Sequence, residues 1–364
     1  MRYKLDNICT LSKDKIIASS LTLDNYISTE NMLPNKAGVT RASSLPTVTQ
    51  TQRYAKGDVL VSNIRPYFKK IWFADKDGGC SNDVLVFKSR DNIDKRYLYY
   101  VLANDEFFDY SMMTSKGTKM PRGDKKSIMA YEIEKFDIKT QKKISSLLSD
   151  IDKKIDLNIQ INKNLMEQAS VLYKAWFEDF ILFNGLCPPM WKQGVLADIA
   201  NITSGKRPPV KSAVKTDTAV IPIVGAASVM GYTSEANHTD KILVTGRVGT
   251  HGVVQRFESP CWTSDNTLVI TSDVYEYTYQ ILQRIDYHSM NRGSTQPLIT
   301  QGDMNKVSVL IPDQETLNEY ETLVGQLMKQ YQANILENNK LSEMRDTLLP
   351  RLMSGELDVS CIDF

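Results

Sequence analysis

Histidine and cysteine are scarce, and their scarcity narrows the chemistry. The 364 residues hold three histidines (His238, His251, His288) and five isolated cysteines (Cys9, Cys80, Cys187, Cys261, Cys361). No CxxC or HExxH occurs, so neither a zinc knuckle nor a zinc hydrolase centre is indicated. An odd number of scattered thiols does not make a disulfide framework either. Walker A, GxGxxG and Gly-x-Ser-x-Gly sequences are absent, which removes the nucleotide cradles and the hydrolase nucleophile. An amino-methyltransferase dipeptide needs Asp, Asn or Ser before Pro-Pro and an aromatic ring after it. The nearest segments, Cys187-Pro-Pro-Met190 and Arg207-Pro-Pro-Val210, lack both. No apolar run approaches the ~18 residues of a membrane-spanning helix. The first residues, MRYKLDNICTLSKDKI, lack the apolar stretch of a secretory signal. Lys and Arg total 44 against 43 Asp and Glu, so any cationic surface must be local. These absences point to a cytoplasmic, membrane-free binding protein with no metal and no cofactor of its own.

Two segments carry helical periodicity. Residues 141–183 contain neither Pro nor Gly, and residues 314–354 contain one Gly325 and a late Pro350. Alternating steps of four and three select Ile144, Leu148, Ile151, Ile155, Asn158, Asn162, Leu165, Ala169, Leu172 and Trp176 in the first. In the second they select Tyr320, Val324, Leu327, Tyr331, Asn334, Asn338, Leu341, Arg345, Leu348 and Leu352. That 3.5-residue repeat is the signature of a coiled coil. The seams also repeat each other: Asn334, Asn338, Leu341 and Leu348 follow Asn158, Asn162, Leu165 and Leu172 by 176 residues. Such an internal repeat outranks any local reading.

The regions before the helices repeat as well. GDVLVSNIRP (57–66) resembles DKILVTGRVG (240–249), CSNDVLVF (80–87) resembles WTSDNTLVI (262–270), and KGTKMP (116–121) resembles RGSTQP (292–297). The runs VLVSNI, DVLVF, ILVTGRV, GVVQRF and NTLVI read as short strands. Short helices are expected at 95–113 and 274–286. The expected fold is α+β: two β-rich lobes at 1–140 and 186–312, each followed by a long helix, at 141–185 and 313–364. The helices are expected to pair as an antiparallel coiled coil about a pseudo-twofold. Charge is unevenly spread. Residues 1–136 hold 22 Lys/Arg against 16 Asp/Glu, and residues 313–364 hold 4 against 10.

The seam asparagines have two readings. They are solvated surface if the heptad frame is off by one. Otherwise they are buried amides that must pair with one another, at the expense of stability but selecting one alignment. The second reading places Asn158 opposite Asn338 and Asn162 opposite Asn334. A helix of ~40 residues is ~60 Å long. Lobes held at its ends would meet DNA more than one turn (~34 Å) apart, which suits a split target with two unlike words.

Polar, glycine-bearing loops supply the candidate contacts. In the first lobe they carry Arg65, Tyr67, Lys69 and Lys70, then Lys116, Thr118, Lys119 and Arg122. In the second they carry Ser204, Lys206 and Arg207; Arg247, Thr250 and His251; and Arg292, Ser294, Thr295 and Gln296. Lys and Arg neutralise phosphate, and Arg, Gln, Ser and Thr read base edges. For one loop alone, turn chemistry with solvated charge is the simpler reading. Equivalent loops in both lobes favour double-stranded DNA.

These residues resemble a known family. Ser204-Gly205…Pro208, Gly246-Arg-Val-Gly-Thr-His-Gly252, Trp262-Thr-Ser-Asp-Asn-Thr-Leu-Val-Ile270, Gly293-Ser-Thr-Gln-Pro297 with Asp303…Ile311-Pro312, and the ending Arg345-Asp-Thr-Leu-Leu-Pro-Arg-Leu-Met-Ser-Gly-Glu-Leu-Asp358 are similar to the specificity subunit of type I restriction–modification enzymes. The first lobe departs from the pattern: it lacks Ser-Gly-x-x-Pro and carries Lys119-Met120 where the second has Thr-Gln. The resemblance implies a non-catalytic subunit with two target-recognition domains. Its two modification subunits would use S-adenosylmethionine to methylate adenine, and restriction subunits would cleave with ATP and Mg. Off-seam apolar residues (Leu147, Ile159, Ile161, Val171, Phe177, Leu323, Ile335, Leu336) would pack on the modification subunits or on the lobes. Other readings are a methyltransferase or nuclease with embedded recognition lobes, a scaffold whose lobes bind protein, and a subunit of a related defence system.

Overall fold

Each long helix opens on the pattern Asp-x-x-Thr, at Asp137–Thr140 and at Asp313–Thr316. In the computed structural model, which describes residues 2–290 and 298–359, the Thr140 N–H donates to Asp137 Oδ1 at 2.8 Å and the Thr316 N–H to Asp313 Oδ1 at 2.9 Å. A side-chain acceptor there satisfies one of the N–H groups that a helix start leaves unpaired. Those donors hold both carboxyls below the usual carboxylate range. The helices that follow span Ile138–Phe177 and Gln314–Met353, 40 residues each. The first therefore starts three residues before, and ends eight residues before, the expected 141–185. Left-handed turns at Phe180, Asn184 and Gly185 follow it.

Contacts divide the chain into two units, Met1–Asn158 with Ile335–Phe364, and Ile159–Asn334. Both long helices therefore contribute a half to each unit. The first unit runs β1 (Arg2–Lys4), β2 (Cys9–Leu11), β3 (Lys15–Ile17), β4 (Tyr26–Ile27), β5 (Gln50–Tyr54), β6 (Val59–Ser62), β7 (Ile71–Phe73), β8 (Gly78–Cys80), β9 (Val84–Ser89), α1 (Lys95–Ala103), α2 (Asp105–Met113), α3 (Lys125–Met129), β10 (Glu132–Glu134) and the start of α4 (Ile138–Phe177). The second runs β11 (Lys192–Val195), β12 (Asn201–Ser204), β13 (Ile221–Val224), β14 (Val229–Thr233), β15 (Ile242–Gly246), β16 (Gln255–Phe257), β17 (Trp262–Thr263), β18 (Thr267–Thr271), α5 (Tyr275–Arg284), α6 (Gln301–Asn305), β19 (Ser308–Ile311) and the start of α7 (Gln314–Met353).

The sequence repeat is a repeat of topology. The sheet β2-β9-β6-β7 corresponds to β12-β18-β15-β16, the pair β1-β10 to β11-β19, and β3-β5-β8-β4 to the three-stranded β14-β13-β17. Strand alternation explains why the central strands are apolar on both faces. Val59, Val61, Leu85 and Phe87 face a core shared with α1, while Leu60, Val84 and Val86 face a second core. In the second unit Leu243, Leu268 and Ile270 face the helical core, and Ile242, Val244 and Val269 face the other side. A sheet covered on both faces reads as a continuous hydrophobic run.

Two expectations change. The helix expected at 95–113 is two helices. Asn104 breaks it with extended backbone (φ −65°, ψ 137°), and its side chain accepts from the Glu106 N–H to start α2. The strand expected over 252–257 shortens to Gln255–Phe257. Of the off-seam residues, Phe177 is buried in the second unit's core and Leu147 packs on the first unit's core, so for these two the expected alternative of packing on the lobes holds.

The seam carries both polar layers. In the first unit the Asn158 Nδ2 donates to Asn338 Oδ1 at 2.8 Å and to Glu337 Oε2 at 2.7 Å, and the Asn338 Nδ2 donates to Ile155 O at 3.3 Å. In the second the Asn334 Nδ2 donates to Asn162 Oδ1 at 2.8 Å, and the Asn162 Nδ2 to Tyr331 O at 3.2 Å. The amide–amide and amide–carbonyl bonds have counterparts 176 residues away, whereas the bond to Glu337 has none, since Ile161 stands at the equivalent position. Flanking layers differ. In the first unit Arg345 pairs with Asp152 at 3.1 Å, and the Tyr100 hydroxyl donates to Asp152 at 2.6 Å. In the second, Tyr173, Phe177 and Tyr320 form an aromatic cluster, and the Tyr320 hydroxyl donates to Ala169 O.

Two predictions follow from this packing. Asn158→Leu removes the donor to Asn338 and is expected to lower stability by about 1–3 kcal/mol. Adding Asn338→Leu should recover part of that loss in thermal melts, and no coupling between the two would refute the pairing's role. Glu321 of α7 accepts from the Glu276 and Tyr277 N–H groups at the start of α5, and burial raises its carboxyl to about 7. A folded value above the unfolded one means stability present at low pH and lost as pH rises through 7. The melting temperature should therefore fall less for Glu321→Gln than for wild type between about pH 5 and about pH 8.

Candidate nucleic-acid interface

The end of β6 lies opposite the start of β9, since Ser62 pairs with Val84. The loop that leaves there is fastened at once: the Asn63 N–H donates to Asp83 O, and the Arg65 N–H to Pro121 O, both at 2.8 Å. Reciprocal bonds between Lys116 and Arg122 close the loop they bracket, and Ile64 forms a bridge with Arg122. The structure therefore joins the two first-lobe candidate loops. Arg65 and Lys69 hold left-handed backbone at φ +51° and +50°, a conformation that non-glycine residues seldom adopt outside functional turns.

The candidates differ in how their charges are used. Arg65, Tyr67, Thr118 and Lys119 are exposed. Lys69 pairs with Asp105 at 2.9 Å, Arg122 with Asp83 at 3.1 Å, and Lys116 with Asp124 at 3.0 Å. Asp124 also caps α3 by accepting from the Ser127 N–H, and these donors bring its carboxyl down to about 2. The Lys70 ammonium donates to Thr29 O at 2.6 Å, and partial burial lowers its pKa; it tethers a loop. Lys36 was missed by sequence reasoning. It shares Asp105 at 2.7 Å, and its N–H donates to Lys69 O. Nothing in its local sequence marks it, because the partners are distant in the chain.

The second unit repeats the construction. Ser204 pairs with Leu268 and Gly246 with Thr267, so β12 and β15 both end beside the start of β18. A Cβ on Gly205 would lie 2.1 Å from Ser264 O, and one on Gly246 would lie 1.9 Å from Thr250 O. Only glycine lets these backbones approach so closely. The Trp262 indole N–H donates to Lys206 O at 2.7 Å. Lys206, Arg207 and Thr250 are exposed, and Arg247 and Ser204 are half-buried. Exposed Lys211 and Lys215 lie on the same β12–β13 connection, a further pair that sequence reasoning passed over. His251 turns inward, with Nδ1 3.1 Å from Gly246 O, and its Nε2 is buried with no hydrogen-bond partner among the described residues. The remaining loop, with Arg292, Ser294, Thr295 and Gln296, lies outside the described residues. Its C-terminal flank docks as in the first unit: Val248 bridges Leu298, and the Ile299 N–H donates to Arg247 O at 3.0 Å.

The model of the type I restriction modification DNA specificity domain matches residues 1–167 and again 188–344. The chain belongs to that family. Its role is sequence-specific DNA recognition within a restriction–modification system. The HindI specificity subunit of Haemophilus influenzae is 23% identical over 432 residues, covering 91% of this chain and 94% of that protein. The MjaIX specificity subunit of Methanocaldococcus jannaschii is 25% identical over 308 residues, covering 74% of this chain and 71% of that one. Among solved structures, a type I S subunit from M. genitalium shares the fold, with a TM-score of 0.60, 17% identity, and coverage of 99% of this chain and 96% of that one. Among the described residues no helix is long and apolar enough to cross a membrane.

Because the Gly246 Cβ position is occupied by backbone, Gly246→Ala is expected to destabilise this specificity subunit by about 1–3 kcal/mol. Gly302→Ala, with its nearest neighbour at 3.8 Å, should be near neutral. Equal melting temperatures for the two variants would contradict the close-approach account.

Proposed function

We propose that this chain reads a bipartite, asymmetric DNA target, one word per lobe, and directs adenine methylation by two modification subunits. Restriction subunits added to that assembly would cleave unmodified DNA. The single observation that best supports the reading is the duplicated loop assembly: in each unit a loop after the central strand (β6 or β15) is stitched by a backbone bridge to the segment preceding α3 or α6. The two assemblies share a backbone plan and differ in side chains, which suits two unlike words. Arg65, Lys119, Lys206 and Arg207 would neutralise phosphate, and Arg247, with Thr118 and Thr250, would lie toward base edges.

In this reading the chain is not an enzyme and acts in the cytoplasm. S-adenosylmethionine, ATP and Mg belong to the partner subunits. The half-exposed or exposed off-seam residues Ile159, Ile161, Val171, Leu323, Ile335 and Leu336 are the candidate faces for the modification subunits.

The test is DNA binding by the complex with modification subunits across a salt series. Specific affinity should fall steeply with salt, and Arg65→Ala with Lys119→Ala should lower the slope by about one per lost phosphate contact. A slope unchanged in the double variant would overturn the assignment of those residues. Specific binding equal to that of modification subunits alone would overturn the function.

A further inference from the structure

The internal repeat gives each pocket in one unit a reference point in the other, and one comparison is unequal. In the second unit, Phe177 of α4 and Tyr277 of α5 meet edge to face with ring centroids 4.7 Å apart. The chain after α4 then covers them. Trp191 lies 5.6 Å from Phe177, and Phe180 and Phe183 lie 6.0 and 5.0 Å from Trp191. The corresponding positions in the first unit are Met353, 176 residues on from Phe177, and Tyr97, at the same point of α1 as Tyr277 in α5. Among the described residues no tryptophan-centred plug covers them: Tyr97 meets Phe136 edge-on at 6.3 Å, and Leu357 and Val359 of the chain after α7 pack on the same core. Met353 and Tyr97 line an open cavity of about 660 Å³ whose floor also includes Val101 and Ile133. That volume lies within the range of ~300–1,000 Å³ typical of ligand clefts.

The rim is acidic. Glu106 and Asp109 of α2 and Glu132 and Glu134 of β10 surround the opening. This is an acidic site within the half of the chain that carries an excess of Lys and Arg. One cation is already accommodated: Arg2, also at the rim, pairs with Glu134 at 2.9 Å. Among the described residues Glu106, Asp109 and Glu132 have no ion pair. Helix α2, which supplies half the rim, has no counterpart in the second unit among the described residues. On its edge Met113 is 78% exposed. The carboxylates would repel phosphate, so the cavity does not extend the DNA surface.

We infer that this cavity docks a basic polypeptide segment bearing an aromatic side chain, contributed by a modification subunit. The aromatic ring takes the place that Trp191 fills in the second unit, and flanking Lys or Arg residues meet Glu106, Asp109 and Glu132. The inference rests on the assembly proposed above and adds a contact on the first lobe that the helix faces do not provide. It also makes the two modification subunits inequivalent, because the corresponding place in the second unit is already filled by its own chain.

The test compares the full-length chain free and assembled with its modification subunit, using hydroxyl-radical footprinting of methionines. Met113 should lose most of its reactivity on assembly, while Met190, 79% exposed in the second unit, provides the internal comparison. Glu106→Lys with Asp109→Lys should weaken assembly at least about tenfold, and Glu106→Gln with Asp109→Asn should weaken it less, with the free chains melting as wild type. Assembly that leaves Met113 reactive, or lysine variants that assemble normally, would overturn this inference alone. Protection of Met113 already in the free chain would mean an occupant from this chain and would overturn it as well. A wild-type chain that fails to assemble would overturn the assembly reading and this inference with it.

Discussion

A buried amide costs free energy unless it is hydrogen-bonded, and the two long helices meet most of that demand in one alignment, with Asn158 Oδ1 left without a partner among the described residues. Asn158 with Asn338 and Asn334 with Asn162 supply the side-chain pairs, and the backbone carbonyls of Ile155 and Tyr331 accept the remaining donors. A shift of one heptad in one direction would bring tyrosine, leucine or isoleucine against each amide, and in the other direction leucine or alanine against all but Asn158, which would meet Arg345; an amide left unpaired in the apolar seam costs several kcal/mol. The alignment has consequences within each unit. In the first it delivers Leu349, Leu352 and Met353 of α7 to a core that also holds Leu5, Tyr97 and Ile144. In the second it delivers Tyr320 and Val324 beside Tyr173 and Phe177. The final turns of the chain therefore complete the unit that its first residues begin.

On that frame the sheets set where recognition loops emerge. In both units the central strand is buried on both faces, so its length and register are fixed by packing. Its end is then a rigid platform for a mobile vocabulary of side chains. The loops are held by backbone hydrogen bonds, which do not depend on side-chain identity. Side chains such as Arg65, Thr118, Lys206 and Thr250 can vary without disturbing the platform. Gly205 and Gly246 cannot, because neighbouring carbonyl oxygens occupy the space of a Cβ.

Much of this was legible in the residues. The heptads, the 176-residue offset and the apolar strand runs rest on periodicity, which burial imposes directly on sequence. What stayed hidden depends on contacts distant in the chain. Asn104 breaks a stretch that reads as one helix, because a polar cap there competes with the continuing turn. Phe177 lies off the seam, and the heptad frame alone does not tell packing on a lobe from packing on a partner; the lobe packs on that face. His251 carries a charge-bearing type in a candidate loop but turns toward Gly246 O. Lys36 joins Lys69 through Asp105 and through its own N–H, which donates to Lys69 O, contacts distant in the chain. The duplicated Asp-x-x-Thr caps were present in the sequence and went unread, since two residues make a weak signal until the helix starts are known.

The most direct measurement is a long-read methylation profile of a methylation-free host expressing this chain with its modification subunit. Wild type would be compared with a variant in which Lys206, Arg207 and Arg247 are alanine. The account predicts a split adenine-methylated motif in wild type, and in the variant a loss or relaxation confined to one of its two words. An unchanged motif, or equal damage to both words, would contradict the assignment of one word to each lobe.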